Sequence, residues 1–232
     1  MKIVFDADSL MHIAVARMKD HGTPYDAKAE FYKIVSDITM EYEEMMGEKA
    51  KQVIYAFSPA KTFRNELYDD YKIKRRQAHP WVRLLIDDVY LEDTDATMYP
   101  GLEADDVVIA MQKYYNYHII ASDKDVIMQA PGNVYEYRKR IHHQPKTDWE
   151  VSSAIMEQAL SGDVEDNIKG AKGIGKVKAK ALVKEEWYIE NLLPLFEDEE
   201  TMLLNMQLVS LHQIDEEFNV LPYESIYDQL IA

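Results

Sequence analysis

The chain has 232 residues, 47% of them hydrophobic and 29% charged, which is enough apolar content for a buried core and too much for a disordered chain. Cysteine is absent, which excludes disulfides, thiolate metal sites and cysteine nucleophiles and leaves oxygen and histidine as the metal donors. The formal net charge of -16 excludes a polyanionic partner only if that charge is spread evenly.

It is not spread evenly. From Glu185 to the carboxyl terminus there are twelve acids and no lysine or arginine, which leaves -4 on residues 1–184. Basic residues there gather at 61–83 and 169–184. No apolar run approaches the roughly 20 residues that span a bilayer, and Asp6 interrupts the amino-terminal MKIVFDADSL too early for a signal peptide. A cytoplasmic monomer without membrane contact is the expectation.

In chain order, residues 2–5 (KIVF) form a short apolar run that ends at Asp6 and predicts a buried strand. A helical pattern follows over 26–46, then a second strand over 53–57 (VIYAF) that ends at Ser58 and Pro59. Helices are predicted over 81–88 and 104–115. Between and after them come strands at 117–121 (YHIIA), closed by Ser122 and Asp123, and at 133–137 (NVYEY).

This alternation predicts an α/β core over 1–150, with a mostly parallel central sheet flanked by helices. In such sheets, sites form beyond the carboxyl ends of strands. After about residue 150 strand signals stop, and amphipathic helices run through Leu160, Leu182, Leu192 to Leu195 and Leu203 to Leu211. Residues 151–232 are expected to be a helical region packed with the core as one body.

Chemistry-bearing motifs begin with KTFRNELYDDYKIKRR (61–76), which interleaves aromatics with Arg64, Lys72, Lys74, Arg75 and Arg76. That mixture suits stacking on unpaired bases and gripping phosphates, although an ordinary amphipathic helix explains it about as well. PGLEADDVV (100–108) places Glu103, Asp105 and Asp106 at a predicted helix start. Acids favour helix amino termini, but three exceed what a cap requires, and hard cations such as Mg²⁺ want oxygen clusters of this kind.

SDKD (122–125) adds Asp123 and Asp125, and GDVEDN (162–167) adds Asp163 and Asp166 at i, i+3. With Asp6, four separated segments each offer acids where chain direction predicts one sheet edge. Directly after GDVEDN comes IKGAKGIGKVKAKALV (168–183). The glycines Gly170, Gly173 and Gly175 permit a tight turn whose amides can face a phosphate, while Lys169, Lys172, Lys176, Lys178 and Lys180 add attraction that reads no sequence.

On these residues the chain resembles the 5′ nuclease family: flap endonucleases, the 5′ exonuclease domain of bacterial DNA polymerase I, and small bacteriophage 5′ exonucleases. The matching pieces are VFDADSL, FR followed by YDDYKIKRR, PGLEADD, ASDKD, LSGDVEDNIKGAKGIG and the late LLNMQLVSL, in the family's order and spacing over nearly the whole chain. The resemblance implies a PIN-like α/β nuclease core with two metal sites and a helix-three-turn-helix element at about 160–184 that holds duplex DNA by its backbone.

By the same resemblance Asp6, Glu103 and Asp105 serve the first metal, and Asp106, Asp123, Asp125, Asp163 and Asp166 complete the acidic cluster. Lys72 and Arg75, in the YKxxR pattern, contact the scissile phosphate. Arg64, Arg76, Lys169, Gly170, Lys172, Gly173, Gly175, Lys176 and Lys180 contact DNA. The implied reaction is Mg²⁺-dependent two-metal hydrolysis of DNA at 5′ ends, nicks or flaps, leaving a 5′ phosphate and a 3′ hydroxyl. Mn²⁺ is expected to substitute for Mg²⁺, and a K⁺ ion is expected at the Gly170–Gly175 turn.

The chain departs from the family in three places. Where the family has an Asp just after the second strand, this chain has Ser58 and Pro59, so one first-site carboxylate is missing. Asp8 is a weak substitute if it lies two residues farther along an extended strand. The family's usual Gly after the first Asp is Ala7, and the segment between Arg76 and Glu103 is short for a full threading arch. The alternative expectation is a DNA-junction binding protein that kept the scaffold and lost activity with that acid. A small ribonuclease with an acidic α/β core would not explain GAKGIG.

Overall fold

The computed structural model describes residues 1–185 and 189–222. Residues 186–188 and 223–232 of the expected helical region lie outside the described residues. The first half runs β1 (Lys2–Asp6), α1 (Asp8–Met18), α2 (Pro24–Met46), β2 (Gln52–Ala56), α3 (Phe63–Leu67), α4 (Pro80–Glu92), β3 (Ala96–Thr97), α5 (Ala104–Tyr115), β4 (His118–Ala121), α6 (Lys124–Gln129), β5 (Val134–Glu136) and β6 (Ile141–His143). The second half runs α7 (Asp148–Ser161), β7 (Gly162–Asp163), β8 (Ile168–Lys169), α8 (Lys176–Glu185), α9 (Ile189–Leu192), a short 3₁₀ turn and α10 (Glu199–Val209).

Six strands form one sheet in the order β3-β2-β1-β4-β5-β6, parallel except for the antiparallel β5–β6 pair at one edge. Successive residues of a strand face opposite sides. Ile3 and Phe5 therefore pack under α1, α2 and α4, while Val4 packs under α5 and α6. Burial on both faces is why β1 reads as an unbroken apolar run.

Local chemistry sets the helix ends. Thr23 and Asp26 form a capping box ahead of Pro24 at the start of α2, and Gly47 ends that helix in a left-handed conformation. Thr147 and Glu150 cap α7 in the same way. Helix α4 buries Val82, Leu85, Ile86 and Val89 against the core under α1 and α2, so one face of the stretch between Arg76 and Glu103 is committed to packing.

Three readings need correction. Helix α1 begins at Asp8, so Asp8 does not lie on an extended strand. Only Phe63–Leu67 of the basic 61–76 stretch is helical, and the rest is mainly turn. Strands do not stop at residue 150, because β7 and β8 form a two-stranded antiparallel ladder between α7 and α8.

The helical second half packs around its own apolar cluster, which takes in Ile155, Leu160, Ile174, Val183 and Met206 together with Tyr71 from the first half. Past α10 the chain returns to the sheet, where Leu211 and Ile214 join the cluster under α5. No helix among the described residues is long and apolar enough to cross a membrane.

Candidate active site

The sheet reverses direction of growth at β1, with β2 on one side and β4 on the other. A crevice opens beyond the carboxyl ends of the strands at such a switch point. Asp6 ends β1, Ser58 lies just past β2, Asp123 caps α6 directly after β4, and Glu103 and Asp105 open α5. All of them line one cleft with Asp8, Lys72 and Arg75.

Asp6 is only 5% exposed. Burial and the neighbouring Asp8 and Asp123 push its carboxyl well above the usual carboxylate range. Asp105 is raised for the same reasons, burial first and then Asp6 and Asp123. Glu103 goes the other way: burial acts to raise it, but Lys72 and Arg64 hold it below its ordinary value. The cleft thus carries mutually repelling carboxylates with positive charge on one wall only.

That wall is built from the turn after α3. Tyr71 donates its hydroxyl to Glu103 Oε2 at 3.0 Å and to Asp166 Oδ2 at 3.3 Å. Lys72 occupies the left-handed region at φ 58°, which a non-glycine residue adopts at a cost of about 1 kcal/mol. Its N–H donates to the Asp166 carbonyl at 3.0 Å, and its Nζ sits 2.5 Å from Glu103 Oε1. Arg75 places Nε and Nη2 on Asp166 Oδ1. Strained backbone of this kind persists where its surroundings hold it, and it is frequent in active sites.

A second pocket adjoins α6 and α7 and is lined by Lys124, Asp125, Gln158, Asp163 and Lys176. Asp163 Oδ2 pairs with Lys124 Nζ at 2.8 Å, and Asp125 Oδ2 accepts from Gln158 Nε2 at 2.9 Å. Burial, with Asp123 adding to it, pushes the Asp125 carboxyl up to about 6. Asp166 was expected beside Asp163, but its carboxylate is turned to Arg75 and Tyr71. Among the described residues no three Asp, Glu or His side chains converge on one point as metal ligands. They form the walls of two clefts, with Glu103, Asp163 and Asp166 each drawn to a cationic side chain.

Two expected site residues are corrected outright. Arg64 is 1% exposed and Asp106 fully buried, and the two pair with each other. Asp106 also accepts the Glu103 N–H at 3.0 Å, which makes it the N3 acid of a capping box. Neither side chain is among those that line the cleft. The capping explanation of PGLEADD therefore holds for Asp106, while Asp105 faces the cleft.

Lys169, Lys172, Gly173, Gly175, Lys176 and Lys180 are exposed around the β8–α8 turns, and Arg76 is exposed in the stretch between α3 and α4. Gly170 has a packing role there, because a Cβ on it would lie 2.3 Å from the Ser161 carbonyl carbon. Sequence reasoning missed Tyr71, although it immediately precedes Lys72. It also missed Lys124, the basic residue inside SDKD.

Residues 2–157 match the family model for the 5′-3′ exonuclease N-terminal resolvase-like domain. DNA polymerase I of Deinococcus radiodurans is 32% identical over 164 residues, covering 62% of this chain and 17% of the polymerase. A 5′-3′ exonuclease of Buchnera aphidicola is 28% identical over 195 residues, 74% of this chain and 64% of that one. The chain thus spans less than a fifth of the polymerase and about two thirds of the exonuclease.

Among solved structures, the D15 protein of bacteriophage T5, co-crystallised with metal ions, superposes with a TM-score of 0.68 at 20% identity, covering 90% of this chain and 88% of that one. Flap endonuclease-1 of Methanococcus jannaschii superposes at 0.52 with 14% identity, covering 99% and 90%. The family model spans Asp6, Asp105 and Asp123, the three acids that meet at one sheet edge, and covers about two thirds of the chain; the chain belongs to the 5′-3′ exonuclease family.

Proposed function

We propose that this protein is a divalent-metal-dependent 5′ nuclease that hydrolyses DNA phosphodiesters near 5′ ends, nicks or flaps. The observation that carries the reading is the meeting of Asp6, Asp105 and Asp123 in one cleft whose opposite wall is Lys72 and Arg75. The donor set fits a hard cation: it is all oxygen, and the buried Asp6 meets the carboxylates of Asp8 and Asp123 with a single backbone N–H, that of Asp8, to offset them.

When bound, Mg²⁺ or Mn²⁺ supplies Lewis acidity for an attacking water and for the charge that develops on the phosphate. The carboxylates of Asp6, Glu103, Asp105 and Asp123 would hold one ion after closing around it, and Asp125 and Asp163 would contribute to a second. Lys72 and Arg75 neutralise the scissile phosphate once they turn from Glu103 and Asp166 towards it. Cleavage breaks the P–O3′ bond and leaves a 5′ phosphate and a 3′ hydroxyl. Lys169, Lys172, Lys176 and Lys180 hold the duplex by its backbone, with K⁺ at the Gly170–Gly175 turn.

A gel assay of labelled nicked, flapped and single-stranded DNA in Mg²⁺, Mn²⁺ or EDTA tests this. Cleavage in Mg²⁺ or Mn²⁺ that EDTA abolishes is the expected result. Binding of junction DNA without cleavage in either metal would overturn the reading in favour of a binding protein.

A further inference from the structure

We propose that Asp8 supplies the carboxylate this chain lacks at position 58, completing the first cation site from the start of α1 instead of the end of β2. The proposal rests on the nuclease reading above.

The two positions are in direct contact. The Ser58 N–H donates to Asp8 Oδ1 at 3.2 Å, and the Ser58 hydroxyl is also hydrogen-bonded to Asp8. Ser58 Oγ accepts the Ala104 N–H at 2.9 Å, so this hydroxyl ties the start of α5 to Asp8. An acid at 58 would press a second negative charge against Asp8. A serine there with an acid at 8 gives the same local charge from the neighbouring element.

Backbone geometry explains how Asp8 reaches that place. Ala7 turns to φ −92°, ψ −13° immediately after β1, and α1 begins at once. On a continuing strand Asp8 would lie about 7 Å beyond Asp6 and off the sheet edge. The turn instead folds it back over the end of β2. A negative φ needs no glycine, so Ala7 fits, and its methyl group is fully buried.

A second observation points to a cation at this spot. Asp6 is 5% exposed, the backbone N–H of Asp8 is the one donor to its carboxylate among the described residues, and it faces the carboxylates of Asp8, Asp105 and Asp123 in the same cleft. A buried carboxylate in such company is satisfied by a bound cation. The plain structural alternative is that Asp8 only anchors the Ser58 loop.

Asp8→Asn separates the two, since its amide oxygen still accepts from Ser58 while the charge is gone. Calorimetric titration of the whole protein with Mn²⁺ alone reads the result. Asp8→Asn should weaken the tightest Mn²⁺ binding by at least about tenfold. Asp8→Asn with Ser58→Asp should recover most of that loss, and melting in EDTA should change little. Ser58→Asp alone should stay within about threefold of wild type, because its place is already served.

Unchanged Mn²⁺ affinity in Asp8→Asn overturns the assignment. So does a double variant no tighter than Asp8→Asn, or a large gain from Ser58→Asp alone. The last arm stands even if Asp8→Asn does not fold. A wild-type protein that binds Mn²⁺ and cleaves DNA while Asp8→Asn binds equally well defeats only the Asp8 assignment. A wild type that takes up no Mn²⁺ defeats the nuclease reading and this proposal with it.

Discussion

Arg64 donates two parallel hydrogen bonds to Asp106, Nη1 to Oδ2 and Nη2 to Oδ1, each 2.7 Å long and closed to solvent. The same guanidinium donates to the carbonyls of Leu208 at 2.9 Å and Ser210 at 2.8 Å. It therefore joins α3, the amino-terminal end of α5 and the end of α10. Removing one partner leaves a buried, uncompensated charge, which costs about 3–5 kcal/mol. Arg64→Met should lower the urea midpoint accordingly, and Arg64→Lys should not restore it, since one ammonium cannot reproduce the fork. A loss below about 1 kcal/mol in Arg64→Met would show that the pair is not a structural tie.

His212 gives a pH dependence whose sign follows from its surroundings. Burial holds its imidazole down to about 4, although Nε2 meets the Gln129 carbonyl at 2.8 Å. A base depressed in the folded state contributes stability that is present above its unfolded value near 6.5 and is lost as the pH falls through that window to about 4. His212→Gln, which keeps a donor without the titration, should flatten this part of the denaturation profile relative to wild type. Parallel profiles for the two proteins would contradict the assignment.

Gly162 and Gly170 let two backbones touch. Cβ atoms built on them would lie 2.3 Å from Gly170 N and 2.3 Å from the Ser161 carbonyl carbon respectively. Gly170→Ala should destabilise by about 1–3 kcal/mol as an overpacking change. Gly175, with open space around its Cα, should accept alanine within about 0.5 kcal/mol. Equal melting shifts in the two variants would refute this packing account.

Lys172 and Lys176 are exposed around the turn that leads into α8. Replacing both with alanine should weaken duplex binding alike on unrelated sequences. The slope of log affinity against log salt should become shallower by about one for each lysine, because each neutralises a phosphate. Fluorescence anisotropy over a salt series measures both quantities. A loss confined to one sequence would mean base contact instead.

Much of the fold was legible because apolar runs end abruptly at acids or at Ser58-Pro59, and those breaks mark the carboxyl edge of the sheet. Helix α1 was not, since a single residue, Ala7, separates it from β1. The β7–β8 ladder has two residues per strand, too few for a period to register. Within the site, Asp105 and Asp106 are adjacent in sequence but about 100° apart around α5, so composition cannot say which faces the cleft. Arg64 and Lys72 share one basic stretch, yet Arg64 is claimed by carbonyls some 144 and 146 residues away. Tertiary partners decide such cases, and local sequence does not encode them.

The central claim is that the acids of the β1–β4 crevice perform metal-dependent phosphodiester cleavage, and Asp123 lies where the first cleft approaches the second pocket. Single-turnover cleavage of a 5′-flap duplex in Mg²⁺, comparing wild type with Asp123→Asn, tests it most directly. The account predicts a rate at least about a hundredfold lower in the variant, with flap binding in Ca²⁺ retained. Cleavage by Asp123→Asn at the wild-type rate would contradict it and place the chemistry elsewhere.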